Sequence, residues 1–173
     1  MSALPATHRR TRLLLGAAVI LSGLLAGGVL DRVFVGGPAW HALGTEAWAQ
    51  FSRLADLGTG LVAYPVEGIG AAILLLAAAV SNHLDGKSRS VAPVPLYIAA
   101  GFSVLGLIFT LKAAPIMLGL SSSLSAADVQ RAFGEFFFWG LYLRGAADSL
   151  AFMASVWALA NSHHLAKPAE HAS

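Results

Sequence analysis

Four apolar stretches separated by short polar segments set the plan of this chain. The first, residues 13–30, carries no charge and follows a polar head holding Arg9, Arg10 and Arg12. The second, residues 57–80, contains a single carboxylate, Glu67, near its middle. The third runs from about 91 to 120 and is interrupted by Lys112 and Pro115; the fourth runs from about 132 to 160 with Arg144 and Asp148 embedded in it. Each is long enough to cross a hydrocarbon layer, which takes about 20 helical residues. The pattern predicts an all-α integral membrane bundle of four transmembrane helices, spanning about 13–32, 57–81, 91–120 and 132–160 in one domain, with a polar tail at 161–173.

The segments between these runs have their own signals. Asp31 and Arg32, then Gly36-Gly37-Pro38, predict the end of the first helix. In residues 39–56 the apolar positions Trp40, Leu43, Ala47, Phe51 and Leu54 recur at spacings of three and four. That spacing predicts an outer amphipathic segment lying at the interface, with Trp40 and Trp48 at headgroup level. Residues 81–90 form a tight polar turn bending at Asp85-Gly86. In the serine-rich loop from 121, Ser125 is placed to cap a helix whose first turn holds Asp128.

Charge placement orients the bundle. Arg9, Arg10, Arg12, Lys87, Arg89 and Lys167 fall on the side of the termini and the 81–90 turn, against mainly Arg32, Arg53 and Arg131 on the other. Both termini are therefore expected on the cytoplasmic side of the cell membrane. The head also resembles a signal peptide, including a twin-arginine type, but the apolar run exceeds the usual signal core and reads as an uncleaved helix.

Composition agrees: 57% of residues are hydrophobic and 12% charged, with a mean hydropathy of +0.70, where soluble chains carry about a quarter charged residues. A net charge of +2, with the basic residues at helix ends, gives no footing for a nucleic-acid partner. The absence of cysteine excludes disulfide and iron–sulfur ligation by the chain.

Candidate chemistry centres on the ionisable residues inside the apolar runs, since such groups are costly in hydrocarbon and need a partner or a task. At a rise of about 1.5 Å per residue, Glu67, Tyr64 one turn above it, Arg144 and Asp148 all fall in the outer half or middle of the bundle. They are expected to converge in a polar pocket opening outward and suited to a hydrophobic small molecule, with Glu67 as acid or base and Arg144 orienting it or stabilising an oxyanion. A direct or water-bridged Glu67–Arg144 contact, shared by Asp148, is the specific expectation. The purely structural alternative is that these charges brace helices against one another. A carrier or accessory subunit with Glu67 as a proton or cation site is the non-enzymatic alternative, and the prolines and glycines around Glu67, from Gly58 to Gly70, would let that helix deform. No two histidines face each other within the runs, which disfavours a bis-histidine haem. A mixed site of His41, Glu46, Asp31 and Glu67 would require the outer segment to fold inward; no metal ligand is assigned and no cofactor is identified. Gly16, Gly23 and Gly27 offer a close-packing face, and with it a surface for self-association.

Residues 38–70, PAWHALGTEAWAQFSRLADLGTGLVAYPVEGIG, and 139–160, WGLYLRGAADSLAFMASVWALA, resemble small bacterial four-helix membrane proteins of the anthrone-oxygenase-like group. The resemblance implies a four-helix membrane fold. Because some members are associated with oxidising anthrone-type aromatic polyketides to quinones, it also implies oxygenase-like chemistry. It transfers no catalytic residue.

Overall fold

The computed structural model describes residues 6–86, 89–122 and 124–162, and every regular element among them is helical. Lys87, Ser123 and the tail bearing His163, His164, Lys167 and His171 lie outside the described residues. Four long helical rods result. The first joins α1 (Ala6–Asp31) through a π turn, Arg32–Gly36, to α2 (Gly37–Leu43). The second joins α3 (Thr45–Leu54) through a π turn, Ala55–Thr59, to α4 (Gly60–Leu84). The third is α5 (Pro93–Gly119), and the fourth joins α6 (Ala126–Phe136) through a π turn, Phe137–Leu143, to α7 (Arg144–Asn161). Packing closes a ring in which α1 touches α4 and α7, and α5 touches α4 and α7.

Three of these helices, Arg9–Leu43, Thr45–Leu84 and Pro93–Gly119, are long and apolar enough to cross a membrane. The fourth rod is equally long but carries Arg131, Glu135, Arg144 and Asp148, which lower its apolar character. The outward faces bear Ile20, Leu24, Ile73, Val80, Val94, Ile98, Leu111, Met153 and Val156, all exposed. A continuous apolar exterior of this kind is what a bilayer covers and water does not.

Two expectations about the outer side are corrected. The first helix does not stop at Gly36-Gly37-Pro38: it passes through the π turn Arg32–Gly36, carries Pro38 two residues beyond that turn, and runs on to Leu43. The break is at Gly44, whose φ of 95° suits glycine. That break resets the helical register, so the apolar spacing read through it does not mark the face that packs against the protein. Leu43 and Leu54 are exposed, at 73% and 82%, while Trp48, Ala49, Ser52 and Asp56 point inward. Trp40 and Trp48 are core residues, packed with Phe133, Phe136 and Phe137 in an aromatic cluster. Arg53 fastens this cap by donating to the Leu120 carbonyl at 2.9 Å and to Glu46 at 3.1 Å.

The far end is packed by small and branched residues. Leu15, Ala18, Leu75, Ala78, Leu96, Ala99, Ala154 and Ala158 form a second core, so α1, α4, α5 and α7 lie close there. Of the expected glycine face only Gly23 takes a neighbour, the Phe152 ring, whereas Gly16 and Gly27 have open space. The 81–90 turn bends at Gly86 with φ 56° and is held by Asn82, which donates to the Val91 carbonyl and accepts from its N–H. Ser125 caps α6 as its position predicts, accepting from the Asp128 N–H at 3.2 Å.

Candidate functional site

The three π turns lie in the half of the bundle away from the 81–90 turn, and its buried charged groups lie in or next to them. A π turn widens the backbone by one residue and re-aims the side chains that follow; such turns are frequent at functional sites. Arg32 opens the first, Asp56 is the second residue of the next, and Arg144 follows the third directly. Gly58, with non-helical φ −90° and ψ −116°, kinks the chain between Asp56 and α4. These distortions turn Arg32, Asp56 and Arg144 toward the space enclosed by the ring.

Arg32 and Asp56 form an ion pair, with side chains 16% and 4% exposed. One Arg32 nitrogen, Nη2, donates both to Asp56 Oδ1 and to the Tyr64 hydroxyl, and that hydroxyl donates to the same Oδ1 at 3.3 Å. The guanidinium also lies 4.8 Å from the centre of the Tyr64 ring, an arrangement in which the ring face attracts the cation. The triad ties the end of α1 to both sides of the Gly58 kink.

Arg144 and Asp148 make the second pair, one turn apart on α7, with Arg144 Nε donating to Asp148 Oδ2 at 3.3 Å. Asp148 fits against the α5 backbone only because residue 106 is glycine: a Cβ there would collide with Asp148 Oδ1. Asp148 contacts the Arg144 guanidinium as expected, but it does not share it with Glu67.

Between α4 and α5 these groups line a cavity of about 630 Å³. Arg32, Asp56, Tyr64, Arg144 and Asp148 all reach it, as does Ser103, which is 7% exposed and has no hydrogen-bond partner among the described residues. Apart from Thr110, whose hydroxyl donates to the Gly106 carbonyl at 2.9 Å, the remaining lining is apolar, and much of it, including Leu61, Ile69, Val104, Ile108, Leu111 and Leu118, is also exposed on the outer surfaces of α4 and α5. The cavity therefore opens sideways between these helices, toward the apolar exterior. It extends along α5 from Ser103 to Leu118, about 22 Å at the helical rise.

Glu67 is placed differently from expectation. It forms no ion pair with Arg144, whose partner is Asp148. The two residues instead line a separate cavity of about 30 Å³, together with Arg32 and Tyr64. A space of that size accommodates about one water molecule. Lys112 is exposed on α5 and lines neither cavity. His41 sits edge-on to Phe133 and Phe137, at centroid distances of 5.0 and 5.2 Å, so the mixed set with Glu46, Asp31 and Glu67 is not assembled; among the described residues no three His, Asp or Glu side chains converge on a metal-sized space.

Sequence reasoning brought Tyr64, Arg144 and Asp148 to one place and missed Asp56, along with the role of Arg32. Asp56 looked like the polar end of an interfacial helix. Its signal was the eight-residue interval to Tyr64, just over two turns, once the glycine-rich run 58–60 is taken as a kink rather than an end. No family model, no curated protein and no solved structure matches this chain.

Proposed function

We propose that the protein crosses the cell membrane four times, with both termini cytoplasmic, and binds a hydrophobic small molecule that enters its cavity from the bilayer between α4 and α5. The observation that carries this reading is the cavity itself. Its volume of about 630 Å³ lies in the range of small-molecule sites, which pair apolar walls with a few fixed polar groups. Its sideways mouth suits a ligand partitioned into lipid, and the two guanidinium–carboxylate pairs would remain satisfied while that ligand comes and goes. The apolar exterior of all four rods and the excess of positive charge near the termini support the four-span arrangement.

In this reading Tyr64, Arg144 and Asp148 contact the ligand, and Glu67 exchanges a proton with the site across the smaller cavity. Oxygenase-like chemistry, which the resemblance implies, belongs in the same place, with Arg144 stabilising an oxyanion. A carrier reading is favoured by one observation: Glu67, lacking an ion pair among the described residues, lies two positions after Pro65 in α4, where the helix lacks a backbone donor. An absorption spectrum and metal analysis of the purified protein separate the two, because a bound chromophore or stoichiometric metal favours chemistry.

The binding reading is tested by photolabelling in lipid nanodiscs with a diazirine-substituted hexadecane. Label on residues 60–69 of α4 and 103–118 of α5, lost in Ala114→Trp, is the expected result; label spread evenly over the outer faces would contradict it.

A further inference from the structure

We infer that the cavity selects amphiphiles with an uncharged hydroxyl or carbonyl head, rejecting charged heads on otherwise identical chains; the inference rests on the binding reading above. The groups that line it are matched in charge. Two guanidiniums, Arg32 and Arg144, face two carboxylates, Asp56 and Asp148, and each cation is already bonded to its own anion. A further carboxylate, Glu67, lines the small cavity that also touches Arg32 and Arg144. An anionic head would have to displace Asp56 or Asp148 from its arginine or bring an unmatched negative charge close to Glu67. A cationic head finds both carboxylates of the large cavity already covered by guanidinium, and Glu67, which lines only the separate small cavity, does not reach it. Either way an uncompensated charge is buried beside hydrocarbon, the most costly outcome for such a site.

A neutral head meets groups with hydrogen-bonding capacity left over. A guanidinium carries five N–H donors, and the bonds of Arg32 to protein all leave from Nη2. Ser103 contributes a hydroxyl that donates and accepts, has no partner among the described residues, and lies three positions from Gly106, where Asp148 rests. A hydroxyl or carbonyl oxygen therefore finds donors in the cavity without breaking either ion pair. The elongated, otherwise apolar remainder, lying along α5, takes a chain aligned with the helices.

The test uses the full-length protein in nanodiscs and displacement of the diazirine-substituted hexadecane by three probes of equal chain length: hexadecanol, hexadecanesulfonate and hexadecyltrimethylammonium. Hexadecanol should displace the label at concentrations about tenfold lower than either charged probe, the scale of one hydrogen bond to a charged group. Asp56→Asn frees the Arg32 guanidinium and should improve displacement by the sulfonate about tenfold. Ser103→Ala keeps every charge and should weaken hexadecanol about fivefold without improving the sulfonate. If a charged probe displaces the label from the wild-type protein as well as hexadecanol does, the head-group inference is overturned and the binding reading stands. If no probe displaces the label, both fall.

Discussion

Arg32 and Asp56, 24 positions apart in the chain, form a buried ion pair whose carboxylate oxygen is also held by the Tyr64 hydroxyl. Removing one partner strands the other, so Asp56→Ala should lower stability by about 3–5 kcal/mol. The paired replacement Arg32→Met with Asp56→Leu, which removes both charges, should cost distinctly less. Unfolding in mixed micelles by denaturing detergent measures both; equal losses would mean that the pair is solvated.

Gly106 and Asp148 give a second test. A methyl group at 106 would occupy the position of Asp148 Oδ1, so Gly106→Ala should destabilise by about 1–3 kcal/mol, the range for forcing extra volume into a packed contact. Gly101, in the same helix with open space around it, is the control. Gly101→Ala should be neutral or stabilising by about 0.5–1 kcal/mol, because glycine is the poorer helix former.

The partner of Arg144 is decided by double-mutant cycles. Coupling between Arg144 and Asp148, with both replaced by leucine, should fall within about 0.5–3 kcal/mol, and the Glu67–Arg144 coupling should be smaller. A larger coupling to Glu67 would mean that the small cavity between them is bridged more strongly than the direct contact to Asp148.

Topology can be read by cysteine labelling because the natural chain contains no cysteine. With a membrane-impermeant maleimide on intact cells, Ser122→Cys should react and Arg89→Cys should not. Reaction of both, or of neither, contradicts a four-span arrangement with cytoplasmic termini.

Much of the helical layout was legible in the sequence because apolar runs, a capping serine and an Asp-Gly bend act locally. The errors share one physical cause, which is register. Gly-Gly-Pro reads as a stop, yet the chain coils through the π turn before it and on past Pro38 to Gly44. The apolar spacing from Trp40 to Leu54 was read straight through that break, so it picked out Leu43, Phe51 and Leu54, which stay exposed, and passed over Trp48, Ala49, Ser52 and Asp56, which are buried. π turns compound this, since each shifts every following side chain by one residue. Depth estimates from rise per residue survive such shifts, and so Tyr64, Arg144 and Asp148 were found together. Direction around the helix does not survive, and of the direct or water-bridged Glu67–Arg144 contact expected, the direct form is absent while both residues line one water-sized cavity.

The account depends above all on a lipid-borne molecule occupying the space between α4 and α5. Native mass spectrometry of the protein released from nanodiscs formed with its own membrane lipids tests this directly. The wild-type protein should retain a defined adduct at one per chain, absent from Ala114→Trp, whose indole would project into the cavity and obstruct it. A bare wild-type protein, or an identical adduct on both, would contradict it.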